Sequence, residues 1–120
     1  SGYILLGSEM LKGNSAVSGS WNFGPRSDEV RSVSDVTQEA IAIWGSGSVT
    51  LDDNRDHPHE ATLLQLDCSK AQAELNWSPQ WDFATTMEKT VSWYQLVHQG
   101  TQAISVTQQQ LTEYEIGKRD

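Results

Sequence analysis

Leu63-Leu64-Gln65-Leu66-Asp67-Cys68-Ser69-Lys70-Ala71-Gln72-Ala73-Glu74-Leu75-Asn76-Trp77-Ser78-Pro79 is the stretch on which the reading of the fold turns. Its first four residues are mostly apolar and bounded by polar ones, as in a short strand. Ser69 and Gln72 stand at the spacing of a capping box, in which each side chain satisfies the other's exposed amide. The helix opened there ends at Asn76, and Trp77-Ser78-Pro79 is extended because the residue before a proline avoids the helical region. A strand leading into a short capped helix predicts a mixed fold.

Toward the carboxy terminus, Asp82 caps a longer helix that carries Met87, Val91, Tyr94 and Val97 on one face and stops at Gly100. A last helix over residues 107–114 rests on Leu111 and Tyr114 alone. Toward the amino terminus, residues 3–12 read as a helix with Tyr3, Leu6 and Met10 on one face, stopped by Gly13-Asn14. Trp21-Asn22-Phe23 is a strand candidate closed by Gly24-Pro25, where proline removes a ladder donor. Ser34 caps a second helix through Trp44, with Val36, Ala40, Ile43 and Trp44 as its apolar stripe. Val49-Thr50-Leu51 alternates like a half-buried strand. The expected fold is therefore α+β: a small, mostly helical domain with short strands, occupying 1–120 as a single unit.

Charge narrows the partners. Sixteen acidic residues against eight basic ones give a formal net charge of −8. Such a surface repels a phosphate backbone, so no nucleic acid is expected, and any anionic ligand needs a local cluster of donors. The single Cys68 excludes an intrachain disulfide framework and a cysteine-rich zinc site, and fits a reducing compartment. No apolar run reaches the roughly 18 residues of a membrane span. Ser1-Gly2-Tyr3-Ile4-Leu5-Leu6 lacks the basic flank of a signal peptide and begins in an apolar stretch without methionine, as a cut end would. A cytoplasmic setting without membrane attachment is expected.

Two segments have the residue types of a site. Asp52-Asp53-Asn54-Arg55-Asp56-His57-Pro58-His59-Glu60 is the densest polar run. Its histidines and carboxylates suit zinc or manganese, although no third donor stands at a recognised offset. Alternatively Arg55, His57 and His59 approach a phosphate, or the segment is a solvated loop. Asn22-Phe23-Gly24-Pro25-Arg26 is the second: a Gly-Pro turn lets backbone approach a ligand, and Arg26 adds a planar donor fork. A plain strand stop and turn uses the same residues. Five tryptophans read mainly as packing. No G-x-G-x-x-G or G-x-S-x-G occurs, and Cys68 reads as buried packing.

Three segments together resemble one family. Trp21-Asn22-Phe23-Gly24-Pro25-Arg26, then His57-Pro58-His59-Glu60-Ala61, then Leu66-Asp67-Cys68-Ser69-Lys70-Ala71 with Leu75-Asn76-Trp77-Ser78-Pro79, follow the order and spacing of CDP-glucose 4,6-dehydratases. The resemblance runs from Ser1 to about Gly100, more loosely to Tyr114. The D-x-S-K-A and L-x-W-x-P pattern is shared by many extended short-chain dehydrogenases; H-P-H-E-A beside N-F-G-P-R points to the CDP-glucose branch. The resemblance implies the carboxy-terminal, substrate-binding lobe of such an enzyme. The family's Rossmann domain binds NAD, and its Tyr-x-x-x-Lys pair serves the proton and hydride chemistry; this chain is expected to hold no cofactor and no catalytic residue. Tyr114 and Lys118 match that spacing by coincidence, at the tail and with no dinucleotide site upstream.

What the resemblance carries over is binding. Related epimerases have an R-P-G-D turn whose Arg meets the diphosphate and whose Asp meets a ribose; His57 and Glu60 occupy those positions here. Histidine cannot make arginine's bidentate contact, and its charge follows pH. His59, Arg26 and Asn22 join His57 and Glu60 as candidate substrate-binding residues, on a turn expected to face the strand end near Asn22. Much of the family's pocket comes from the segment before Ser1, so a CDP-sugar should bind weakly and the chain alone should be inactive. The competing expectation is a self-associating module: an apolar face stripped of its Rossmann partner would find a second copy, giving a homodimer, by domain swapping through the first helix as one route.

Overall fold

The computed structural model describes residues 1–50 and 66–117. These form five α-helices, α1 (Gly2–Leu11), α2 (Val33–Trp44), α3 (Ser69–Leu75), α4 (Phe83–His98) and α5 (Ala103–Ile116), with single 3-10 turns at Ser15–Val17 and Ser27–Glu29. They divide into two compact units, the described residues of Ser1–Val30 with Leu64–Pro79, and those of Arg31–Leu63 with Gln80–Asp120.

The α+β expectation is overturned. Among the described residues all regular structure is helical and no strand forms. Trp21-Asn22-Phe23 joins no ladder, and neither does Leu66 or Val49-Thr50. Leu51 and Leu63-Leu64-Gln65 lie outside the described residues. The bridge between the two segments is a side chain: Asn22 Nδ2 donates to the Asp67 carbonyl at 3.1 Å, occupying an acceptor that a ladder would use. Pairs of two- or three-residue strands are marginal even where nothing competes.

In the first unit, α1 and α3 pack around a line of aromatic rings. Phe23 makes edge contacts with Tyr3 at 5.4 Å and with Trp77 at 5.0 Å between centroids. Gly2 is buried beneath the Phe23 ring, where a larger residue would collide. The Trp77 indole Nε1 donates to Ser1 Oγ at 3.0 Å, tying the start of α1 to the exit of α3. Val17, Cys68 and Ala71 are buried here, Ala71 completely. Asn76 ends α3 in the left-handed region at φ 49°, a conformation asparagine tolerates better than most residues. The Ser69–Gln72 capping box does not form. Cys68 is the N-cap, and Asp67 Oδ1 accepts from the Ser69 amide at 2.9 Å, an Asx turn that takes the amide locally.

The second unit stacks α4 against both α2 and α5. The cap of α2 is Ser32, two residues before the expected Ser34: its hydroxyl accepts from the Asp35 amide at 3.1 Å while Asp35 Oδ2 accepts from the Ser32 amide at 2.9 Å. These bonds from Ser32 hold the Asp35 carboxyl below its ordinary value. Gln95 on α4 donates to the Ile43 and Trp44 carbonyls at 3.2 and 3.1 Å, satisfying acceptors that a helix end leaves open. On α4, Val91 is buried. Facing α5, Gln110 Nε2 donates to the Lys89 carbonyl at 2.7 Å, Trp93 Nε1 to Thr107 Oγ1 at 3.0 Å, and Lys89 pairs with Glu113 at 2.9 Å around buried Val106. These contacts hold α5 against α4, and the helix runs beyond the expected 107–114 at both ends, from Ala103 to Ile116.

Candidate functional site

The Asn22–Arg26 turn and the start of α3 enclose a cleft in the first unit. Its volume is about 280 Å3, and it is lined by Pro25, Ser27, Leu66, Asp67, Cys68, Ser69 and Gln72. Two local devices shape it. At Gly24 the turn lies against the opposite wall, where an added Cβ would make ordinary contact with Leu66 and Cys68 at 3.4–3.5 Å. The Asx turn at Asp67 swings α3 in from the other side, and the hydrogen bonds from Ser69 hold the Asp67 carboxyl below its ordinary value. The walls therefore offer hydroxyls, an amide and a carboxylate, with the Cys68 thiol buried and donating to the Leu66 carbonyl at 3.6 Å.

Of the residues singled out in the sequence, Asn22 and Arg26 are described and flank this cleft. Asn22 spends its amide on the Asp67 carbonyl, so it joins the two walls. Arg26 stands half-exposed, with Nη2 2.8 Å from Glu29 Oε1 and Nε 3.5 Å from Asp28 Oδ1. An anionic ligand must compete with both carboxylates for that guanidinium. Lys70 is similarly engaged: its ammonium lies 4.1 Å over the Trp21 ring and donates to the Ser20 carbonyl at 3.3 Å. His57, His59 and Glu60 lie outside the described residues, and so does the metal reading placed on them; among the described residues no cluster of ligating side chains could hold a metal ion. Ser27, Ser69 and Gln72 were not picked out as site residues. For Ser69 the signal is D-x-S at Asp67–Ser69, an Asx-turn pattern that places a hydroxyl at a wall rather than in a cap.

No protein-family model matches the chain. Individual proteins do. It is 32% identical over 114 residues, 95% of its length, to a CDP-glucose 4,6-dehydratase of Salmonella typhimurium. Over 40 residues it is 45% identical to a dTDP-glucose 4,6-dehydratase of Haemophilus influenzae. These similarities support a fragment of a sugar-nucleotide dehydratase of the short-chain dehydrogenase/reductase family. It spans 32% of the Salmonella protein's length and 12% of the Haemophilus protein's length is matched.

Dehydratases of this family are NAD-dependent in general. The described residues of this chain do not fit the dinucleotide. A pyrophosphate cradle needs a strand, a glycine turn and the amino-terminal amides of a helix. Here the positive-φ glycines Gly13, Gly45 and Gly100 follow the carboxy-terminal ends of α1, α2 and α4, where carbonyls are presented instead. Tyr114 packs its ring on Trp81 at 5.0 Å, and Lys118 lies outside the described residues. Among the described residues no helix is long and apolar enough to cross a membrane.

Proposed function

We propose that this chain contributes part of the nucleotide-sugar-binding surface of a CDP-glucose 4,6-dehydratase acting in deoxysugar synthesis, in a cytoplasmic setting, and that the redox chemistry is carried by other parts of such an enzyme. The observation that carries this reading is the relationship to the Salmonella dehydratase across 95% of the chain, which takes in all three motif segments. The cleft at the Asn22–Arg26 turn supports it, because its walls suit a hydroxyl-rich ligand and its rim holds a guanidinium suited to phosphate oxygens. In this reading Arg26 leaves Asp28 and Glu29 for a phosphate, Asn22 keeps the walls in register, and His57 and Glu60 meet the diphosphate and a ribose. Hydride and proton transfer are assigned to none of these residues.

Titration of the chain with CDP-glucose, CDP and glucose, followed by two-dimensional NMR, tests the proposal. Localised shifts at Asn22, Arg26 and Ser69 with CDP-glucose are expected, at a dissociation constant of about 1 mM or weaker. Arg26→Ala should weaken binding roughly tenfold, the value of about one charge-assisted hydrogen bond. Spectra unchanged up to the solubility limit of CDP-glucose would dismiss the reading.

A further inference from the structure

We propose that Glu29 and Asp28 set how strongly the cleft beside the Asn22–Arg26 turn accepts an anion, by holding the Arg26 guanidinium out of it. The inference rests on the reading of that cleft as nucleotide-sugar surface, and it names the residues that tune it. The 3-10 turn Ser27–Glu29 is closed by the Glu29 amide, which donates to the Arg26 carbonyl at 3.0 Å. At about three residues per turn, side chains i and i+3 fall in line, so Glu29 stands over Arg26. Its Oε1 lies 2.8 Å from Nη2, and Asp28 Oδ1 lies 3.5 Å from Nε. Nε and Nη2 form the side-on fork of the guanidinium, a pair of donors that grips a phosphate through two oxygens. Carboxylates already fill that fork.

The contact restrains the cleft rather than bracing it. Pro25 and Ser27, the neighbours of Arg26 on either side, line the cleft, and Arg26 does not. Among the described lining residues Asp67 alone carries a charge, and the hydrogen bonds from Ser69 keep it ionised. With the guanidinium turned aside, these walls attract hydroxyls and repel phosphate. Rooted between two lining residues, Arg26 can turn toward the cleft by a change of rotamer, without backbone movement. The two carboxylates are unequal: the Glu29 side chain is 12% exposed and that of Asp28 75%. Solvent screens an exposed pair, so Glu29 is the main hold. All the pairing groups lie within residues 26–29, so the contact needs no distant segment.

NMR titration of the full chain with CDP-glucose, inorganic pyrophosphate and glucose, parent against Glu29→Gln, tests this. The substitution keeps the shape of the side chain and removes its charge. CDP-glucose and pyrophosphate should bind about two- to fivefold more tightly, the range for one partly covered ion pair, and the response to glucose should not change. In an Arg26→Ala background the gain should fall below about twofold, which separates release of Arg26 from a general loss of negative charge. If the parent binds CDP-glucose but Glu29→Gln binds it no better, or more weakly, the inference is overturned and the reading of the cleft stands; weaker binding would make Glu29 a residue that positions Arg26 for its ligand. A gain undiminished in Arg26→Ala overturns it too. Phenylglyoxal modification of Arg26, mapped by mass spectrometry with Arg31 as internal reference, reads the hold without any ligand. It should quicken about two- to fivefold in Glu29→Gln, and an unchanged rate shows that there is no hold to release. Absence of anion binding in both parent and variant removes the reading of the cleft and the inference with it.

Discussion

Replacing Gly2 with alanine should destabilise the first unit by about 1–2 kcal/mol, against the usual preference of helices for alanine. The added Cβ would lie within 2.6 Å of three carbons of the Phe23 ring. The ring has little freedom to yield, since its edges meet Tyr3 at 5.4 Å and Trp77 at 5.0 Å. Each aromatic contact is worth about 0.5–1.5 kcal/mol, so a ring pushed aside forfeits roughly 1–3 kcal/mol. Replacing glycine in a helix returns at most about 1 kcal/mol, and less in the first turn. Thermal unfolding followed by circular dichroism and tryptophan fluorescence should show a fall of about 4–8 °C per kcal/mol, the scale for a small unit. Phe23 precedes the Gly24-Pro25 turn, so the shift should also disturb the cleft and weaken CDP-glucose binding. The control is Phe23→Leu: in that background Gly2→Ala should become neutral or stabilising, because the obstructing ring is gone. The reasoning is refuted if Gly2→Ala is as stable as the parent chain, or costs the same in both backgrounds.

Three further outcomes follow from local structure. Asn76→Ala should cost about 1 kcal/mol because a non-glycine residue is held at φ 49°, while Asn76→Gly should be neutral or better; urea midpoints distinguish them. Asp82→Ala removes the acceptor for the Thr85 amide at 2.8 Å and should cost α4 about 1 kcal/mol, whereas Asp82→Asn should recover most of it, as read by helical ellipticity on heating. Acid should loosen the α4–α5 pair. Glu113 is held below its ordinary 4.5 by its hydrogen bonds to Lys89 and Gln109, so its contribution is complete above that value and disappears as pH falls through the lower, folded-state value. Lys89 is held above 10.5 by the same partner, so the pair weakens again only at high pH. Protection of α5 amides from hydrogen exchange, corrected for the intrinsic pH dependence of exchange, should fall in acid, and Glu113→Gln should remove that dependence without unfolding the unit.

Helix starts and stops were largely legible in the residues. Asp82 caps α4, and Asn76 and Gly45 terminate α3 and α2, because each device is completed by atoms a few positions away. The misplaced caps were also local competitions. Ser32 with Asp35 won over Ser34, and Asp67 took the amide that the proposed Ser69–Gln72 box would have used. The site was legible in part. The N-F-G-P-R segment did mark one wall of a cleft, but Ser69 and Gln72 enter only because the Asx turn brings α3 against it. That Arg26 is already engaged by Asp28 and Glu29 followed from a turn geometry that spacing alone did not show.

By itself, the sequence determined the likeness to sugar-nucleotide dehydratases and most helix ends, since motif order and capping chemistry reside in neighbouring residues. Three matters were decided only in three dimensions. Trp21–Phe23 joined no ladder, α5 docked on α4 through Lys89 and Trp93, and α1 left Ile4, Met10 and Leu11 exposed. Each depends on groups distant along the chain, and a ladder, a helix–helix contact or an exposed face has no energy until those groups meet.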